Sequence, residues 1–279
     1  MGQISSYFWH IEENLKEEIV KSTNYYGWKK DLPDRRDYIM SNIHTVIPNK
    51  IDLRVKCPNP YNQGKLGSCT ANAIAFAYQF DELNQGEKSI FIPSRLFIYY
   101  NERYMEGTTD KDTGAAIRDG IKSINKIGVC PEKIWPYDIE KFTQKPDKKC
   151  YNIAKNHKSI EYHKVIQNEQ SIKHILSEGF PIVFGFAVYE SFESKEVAEN
   201  GVVPLPKKDE KILGGHAVAL VGYTTINDIE YFIVRNSWGT EWGDKGYCYF
   251  PVNFICDSEY CDDFWVIKKI RDKDDNFIE

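Results

Sequence analysis

With 279 residues, 42% of them apolar and 14% aromatic, the chain has enough apolar surface for one large core or two modest ones, which excludes a disordered or fibrous protein. Its net charge of −5 and pI near 5.8, with bases interleaved among acids as in KKDEK and KKIRDKDD, give no electrostatic ground for binding nucleic acid. The longest apolar run, residues 180–189, is far short of the ~20 residues that cross a bilayer, so no transmembrane segment is expected.

Residues 1–46 differ in character from the rest. The opening MGQISSYFWHIEENLKEEIV loses its apolar character at His10, Glu12 and Glu13 before an apolar signal region can form. No signal peptide is read there, and the expected location is cytoplasmic or packaged in a particle, with a lysosome-like compartment as the runner-up. Gly2 with Ser6 fits the N-myristoylation pattern, although so short a pattern recurs by chance. An amphipathic segment over residues 4–20 is followed by GWKKDLPDRRDY, a polar, Pro-bearing stretch that cannot build a core of its own and should gain structure only by docking. Residues 47–61 are Pro-rich and read as extended.

Residues 69–84 read as a helix that is apolar on nearly all sides and closed by Gly86, suited to a central buried position. A second helix is expected over residues 95–104 behind Pro93 and Ser94. Ile117, Ile121 and Ile124 mark one face of a third, stopped by Gly128. A further helix near residues 169–178 ends at Gly179. After it, residues 182–188, 217–223, 231–235, 247–252 and 264–270 read as strands separated by turn residues. The division is α+β, with a helical half over about 62–165 and a β half over about 166–270 that also takes the 47–61 strand.

The chemistry concentrates in three stretches. In NQGKLGSCTANA, Cys69 stands where a turn rich in Gly and Ser gives way to the central helix. A cysteine there faces unpaired N–H groups and the positive end of the helix dipole, which favours its thiolate. Gln63 lies just upstream, where its amide can donate to an oxyanion developing beside the thiol. In LGGHAVALVGY, His216 follows a Gly pair and leads into an alternating apolar run; in VRNSWGTEWGDKGY, Asn236 ends another such run and Trp238 follows it. Asn236 can accept from one ring nitrogen of His216, leaving the other for Cys69, while an indole laid over that bond keeps water out. Helical and β halves would then meet across a cleft.

These stretches, in the order Cys, His, Asn, resemble the papain and cathepsin family of cysteine proteases. The resemblance runs over about residues 47–270. IPNKIDLR looks like the start of a mature enzyme, and NSWGTEWGDKGY matches the family's second signature almost throughout. It implies a papain-like two-domain fold, a helical left domain and an antiparallel β-barrel right domain with the cleft between them. It also implies Cys69 as nucleophile, His216 as base and acid, Asn236 as orienter, and Gln63 with the Cys69 N–H as oxyanion hole. Gly114, Gly215 and Trp238 fall where the family meets its substrate. Two departures stand out: Leu66 replaces a cysteine usual three residues before the nucleophile, and Thr70 replaces a tryptophan usual just after it. The variant loop, with GWKKDLPDRRDY upstream, looks more like a microbial or viral branch than the animal lysosomal one. Residues 47–279 are therefore expected to form the peptidase domain and residues 1–46 a propeptide-like arm, removed around residues 42–49.

The expected activity is endopeptidase hydrolysis of proteins or peptides by a monomer, with no cofactor and no metal. Cys256 and Cys261 lack the paired spacing of a metal site. Apart from Cys69, six cysteines allow fifteen pairings. Reduced thiols are expected without a signal peptide; oxidation would favour Cys256 with Cys261, or a group of Cys57, Cys130 and Cys150. Two alternatives use the same fold, a transpeptidase or ligase in which an amine wins over water, and a catalytically silent binding protein.

Overall fold

The computed structural model describes residues 25–35, 37, 39, 46–86 and 90–272. The amphipathic segment at 4–20, the Gly2 pattern and the first part of the expected removal region lie outside them. In chain order the elements are β1 (Trp28–Lys29), β2 (Ile51–Asp52), α1 (Cys69–Gln85), α2 (Arg95–Glu106), β3 (Ala115–Ala116), α3 (Ile117–Lys126), α4 (Lys148–Ala154) and β4 (His157–Lys164). There follow α5 (Glu169–Ser177), β5 (Ile182–Tyr189), α6 (Lys195–Asn200), β6 (Ile212–Ile226), β7 (Ile229–Arg235), β8 (Tyr247–Pro251), α7 (Val252–Cys256) and β9 (Cys261–Asp272).

Helix α1 is the axle of the molecule. Its small residues, Ala71, Ala73, Ala75 and Ala77, allow close approach from several directions, and every residue from Cys69 to Glu82 is buried. Phe76 and Phe80 enter the core of the β half, whereas Ile74 and Tyr78 enter the core of the helical half. Gly86 closes the helix with φ +70°, a left-handed conformation costly for any residue with a Cβ. Ser94 caps α2, its hydroxyl accepting the Phe97 N–H at 3.1 Å.

The β half is one antiparallel sheet in the order β4-β9-β5-β6-β7-β8, with β2 pairing beside β6. Among the described residues no pairing of β4 with β8 closes it into a barrel. The long strand β6 carries His216 opposite Phe186 of β5, in its buried stretch. Strand β4 falls in the part of the chain read as helical. It is a half-exposed sheet edge whose polar sequence, HKSIEYHK, carries little of the apolar alternation that marks a strand.

The segment from Tyr25 onward docks as a strap. Its β1 pairs in parallel with β3, Trp28 opposite Ala115. Beyond it the Asp31 N–H donates to Asp263 Oδ2 at 2.7 Å, and Asp31 Oδ2 accepts Trp265 Nε1–H at 2.9 Å. Arg118 of α3 grips Asp37 through Nε at 3.1 Å and Nη2 at 2.5 Å, and it also donates to the Leu32 carbonyl.

Candidate active site

Cys69 opens α1, and its sulfur is reached by the backbone N–H of Ala217, the residue after His216. Sheet and helix thus bring the thiol and the imidazole to one point. His216 Nε2 and Asn236 Oδ1 lie 2.8 Å apart. That oxygen also accepts the Ser237 N–H at 2.8 Å, so the amide presents its acceptor to the ring and Nε2 carries the proton. The second ring nitrogen, Nδ1, has no partner among the described residues and is left for the thiol. Trp238 stacks on the imidazole, centroids 5.0 Å apart at 24°, and shields the bond to Asn236.

Gln63 is wholly buried and held by hydrogen bonds through both its backbone and its side chain. Its N–H donates to the Ser237 carbonyl at 2.8 Å, its Oε1 accepts the Ser237 hydroxyl at 2.6 Å, and its Nε2 donates to the Leu66 carbonyl at 3.0 Å. Ser237 escaped the sequence reading, although it stands inside the motif that supplied Asn236. Nothing about a serine beside Asn236 announces a partner so far back along the chain.

The strap occupies this cleft. Nε2 of Gln63 also donates to the Tyr25 carbonyl at 3.0 Å, so the expected oxyanion donor already holds a carbonyl oxygen. The Gly27 N–H points at the Cys69 sulfur. Tyr26 packs on His216 and Trp238, ring centroids 6.2 and 6.4 Å away. Trp28 lies where Gly185 and Gly215 leave room: a Cβ on Gly185 would sit 2.0 Å from the indole, and one on Gly215 2.6 Å from the Trp28 carbonyl oxygen. Trp28 Nε1–H donates to Asp263 Oδ2 at 3.1 Å. Gly114, with φ +66°, faces Gly27 directly before β3.

This cover changes the charge expected at the site. The helix position of Cys69 favoured a thiolate. Under the strap, burial instead pushes the thiol up to about 12, against the opposing N–H groups of Ala217 and Gly27. Burial also pushes His216 down to about 4, opposed by its bond to Asn236. Both groups are neutral at pH 7, because excluding water penalises the charged forms more than the local donors stabilise them. All seven cysteines are free thiols; Cys130 and Cys150 share a side-chain hydrogen bond, while the Cys57 thiol donates to the Leu53 carbonyl at 3.4 Å.

A cysteine at a helix start, a histidine oriented by an amide and a nearby amide donor are the parts of a thiol acyl-transfer site, and the chain belongs to the papain family of cysteine proteases. The model of that family, papain family cysteine protease, matches residues 47–261. An uncharacterized peptidase C1-like protein of Acanthamoeba polyphaga mimivirus is 44% identical over 274 residues, covering 88% of each chain. Cathepsin K of Mus musculus is 27% identical over 256 residues, covering 88% of this chain and 72% of its own. Among solved structures, xylellain, a cysteine protease from Xylella fastidiosa, aligns with TM-score 0.81 at 43% identity, covering 89% of this chain and 97% of its own. Procathepsin B from Trypanosoma congolense, at 19% identity and TM-score 0.71, shares the fold over 88% of this chain and 87% of its own. The molecule is a papain-like cysteine peptidase with a mixed α+β fold.

Proposed function

We propose that the protein is a thiol endopeptidase acting through Cys69, His216 and Asn236, and that the strap keeps it latent as a zymogen until displaced. With the strap gone, water returns and the Cys69 proton passes to His216 Nδ1. The sulfur attacks the scissile carbonyl carbon, and the resulting oxyanion takes hydrogen bonds from Gln63 Nε2 and the Cys69 N–H. His216 returns the proton to the leaving amine. It then removes one from water, which opens the thioester and releases the acid. Asn236 holds the ring in the tautomer this requires, and Trp238 keeps the orienting bond dry.

The observation carrying this reading is the strap's seat: the Tyr25 carbonyl is on the Gln63 amide and the Gly27 N–H is at the sulfur. The strap thus holds the donor that a reaction would use, yet offers the thiol an N–H in place of a carbonyl carbon, so it blocks without being cut. Endopeptidase action is favoured because the strap passes through the cleft with chain on both sides of the thiol. Tethering gives so short an inhibitor a high effective concentration.

The test compares peptide hydrolysis by the full-length protein with that of a chain beginning at Ile47, using Cys69→Ala as the blank. Higher activity of the shorter chain is expected. A shorter chain that shows the same near-ultraviolet circular dichroism but no greater activity removes the blocking role, and full-length and short chains both as inert as Cys69→Ala remove the peptidase reading.

A further inference from the structure

Gly67 and Gly114 form two walls of a slot beside Cys69, filled here by Gly27. A Cβ on Gly27 would lie 1.7 Å from the Gly67 carbonyl oxygen, and one on Gly114 would lie 1.8 Å from the Gly27 oxygen. The slot fits a backbone with nothing to spare. The Gly114 side is also an edge that holds extended chain, since the Ala115 N–H donates to the Gly27 carbonyl at 2.7 Å.

One hydrogen-bonded bridge joins the walls. Asp112 accepts the Gly67 N–H on both carboxylate oxygens, at 3.1 and 3.0 Å. The phenol of Tyr99, wholly buried on α2, donates to Asp112 Oδ1 and accepts the Gly114 N–H at 3.2 Å. Burial, then the hydrogen bond to Asp112 and its charge, hold the pKa of Tyr99 well above the ordinary tyrosine value, so the phenol stays a donor. Behind it Arg103, also wholly buried, lies 4.0 Å over the Tyr99 ring and donates to the carbonyls of Thr109 and Lys111 at 3.0 and 2.9 Å. That grip fixes the loop carrying Asp112.

We infer that Asp112 and Tyr99 are positioning residues of the peptidase site: they tie the loop that delivers Cys69 to the edge that holds the peptide, and so set the width of the slot where the substrate backbone passes the thiol. The inference rests on the cysteine-peptidase reading. Gly67 has no side chain of its own, and the bridge gives its backbone a fixed distance from Gly114 and β3, while Ser68 beside it is held separately by Tyr137 and Asn72. Neither residue touches the reacting atoms; each acts by placing backbone, where a displacement of ~1 Å costs about 100-fold in rate.

The test uses the full-length protein with Trp28→Ala as parent, to loosen the strap, and compares Tyr99→Phe, Asp112→Ala and Asp112→Asn made in it. Two substrates are used, a fluorogenic hexapeptide library, which must thread the slot, and p-nitrophenyl acetate, which is too small to reach it. Tyr99→Phe and Asp112→Ala are expected to lose about 10–100-fold in kcat/KM on peptides while staying within about 3-fold on the ester. Asp112→Asn, whose amide oxygen still accepts from both donors, should recover most of the peptide activity. Unchanged peptide cleavage, or equal losses on both substrates, overturns the bridge. Tyr99→Phe fills the same space as tyrosine and keeps the test decisive if Asp112→Ala does not fold. If the parent is as inert on peptides as Cys69→Ala, the same variants are made in the chain beginning at Ile47; inertness there as well overturns the peptidase reading itself, whereas an active parent with unaffected variants overturns the bridge alone.

Discussion

At Cys69 the charge is set by what covers the sulfur. A helix N-terminus favours an anion by about 1–2 kcal/mol at best, and that preference loses to burial, which moves the thiol from 9.0 to about 12. Iodoacetamide should therefore label Cys69 slowly in the native full-length protein at pH 7, and fast at the same pH in Trp28→Ala; equal rates in both would show that the strap does not govern the thiol. Among the partners, Asn236→Ala should retain more activity than His216→Ala, since it loosens the base without deleting it. Gln63→Ala should lower kcat by about 10²–10³ with little change in KM, measured on the strap-loosened protein. A pure KM effect would place Gln63 in substrate binding. The three motif residues were legible in the sequence because their chemistry needs particular side chains next to particular local structure. Ser237, Tyr99 and Asp112 were not, because serine, tyrosine and aspartate satisfy many unrelated needs. Leu66 shows the same limit: its departure from the family pattern was readable, but the Asp112 carboxylate on the neighbouring Gly67 was not.

Among the elements, the strap is the one most open to control. Gly185 faces the Trp28 indole of the strap, which supplies the nearest atoms to an added Cβ. Gly185→Ala should eject Trp28 while leaving β5 paired, seen as faster amide exchange at Gly27 and Trp28 with unchanged exchange in β5. The docked strap also buries two carboxyls together. Asp263 is pushed up to about 7 by burial and then by the Asp31 charge; Asp31 is pushed up by burial, opposed mainly by Arg118. Lys164, 4.0 Å from Asp263 Oδ1, and Lys30, paired with Asp262 at 2.7 Å, face the same group. Because docking raises the Asp263 value above the ordinary 3.8, its contribution to docking is full below about pH 4 and is lost as pH rises through about 7. Protection of the strap amides, corrected for intrinsic exchange, should fall across that window, and Asp263→Asn should flatten the change. A fall of equal size in Asp263→Asn would assign the pH dependence elsewhere.

On the scale of the whole molecule, α1 belongs to both cores, so neither half has a complete interior without it. Unfolding in denaturant should be a single transition whether followed by alkylation of Cys130 in the helical half or of Cys248 in the β half. Phe80→Ala should cost about 3–5 kcal/mol and shift both probes together; separate midpoints would mean that the halves fold independently. The sequence alone determined the α+β division, the buried central helix and most strand positions, because apolar periodicity and turn residues act over a few neighbouring positions. It also carried the residues proposed as nucleophile, base and orienter, whose types the proposed reaction dictates. The edge strand β4 was hidden because an exposed edge needs no apolar alternation. Only the tertiary structure decided that Tyr25 would sit on Gln63, that Asp31 would meet Asp263, and that Cys69 and His216 would be neutral. Those outcomes depend on water excluded by segments far apart in the chain, and desolvation is a property of the assembled packing that no local stretch of sequence contains.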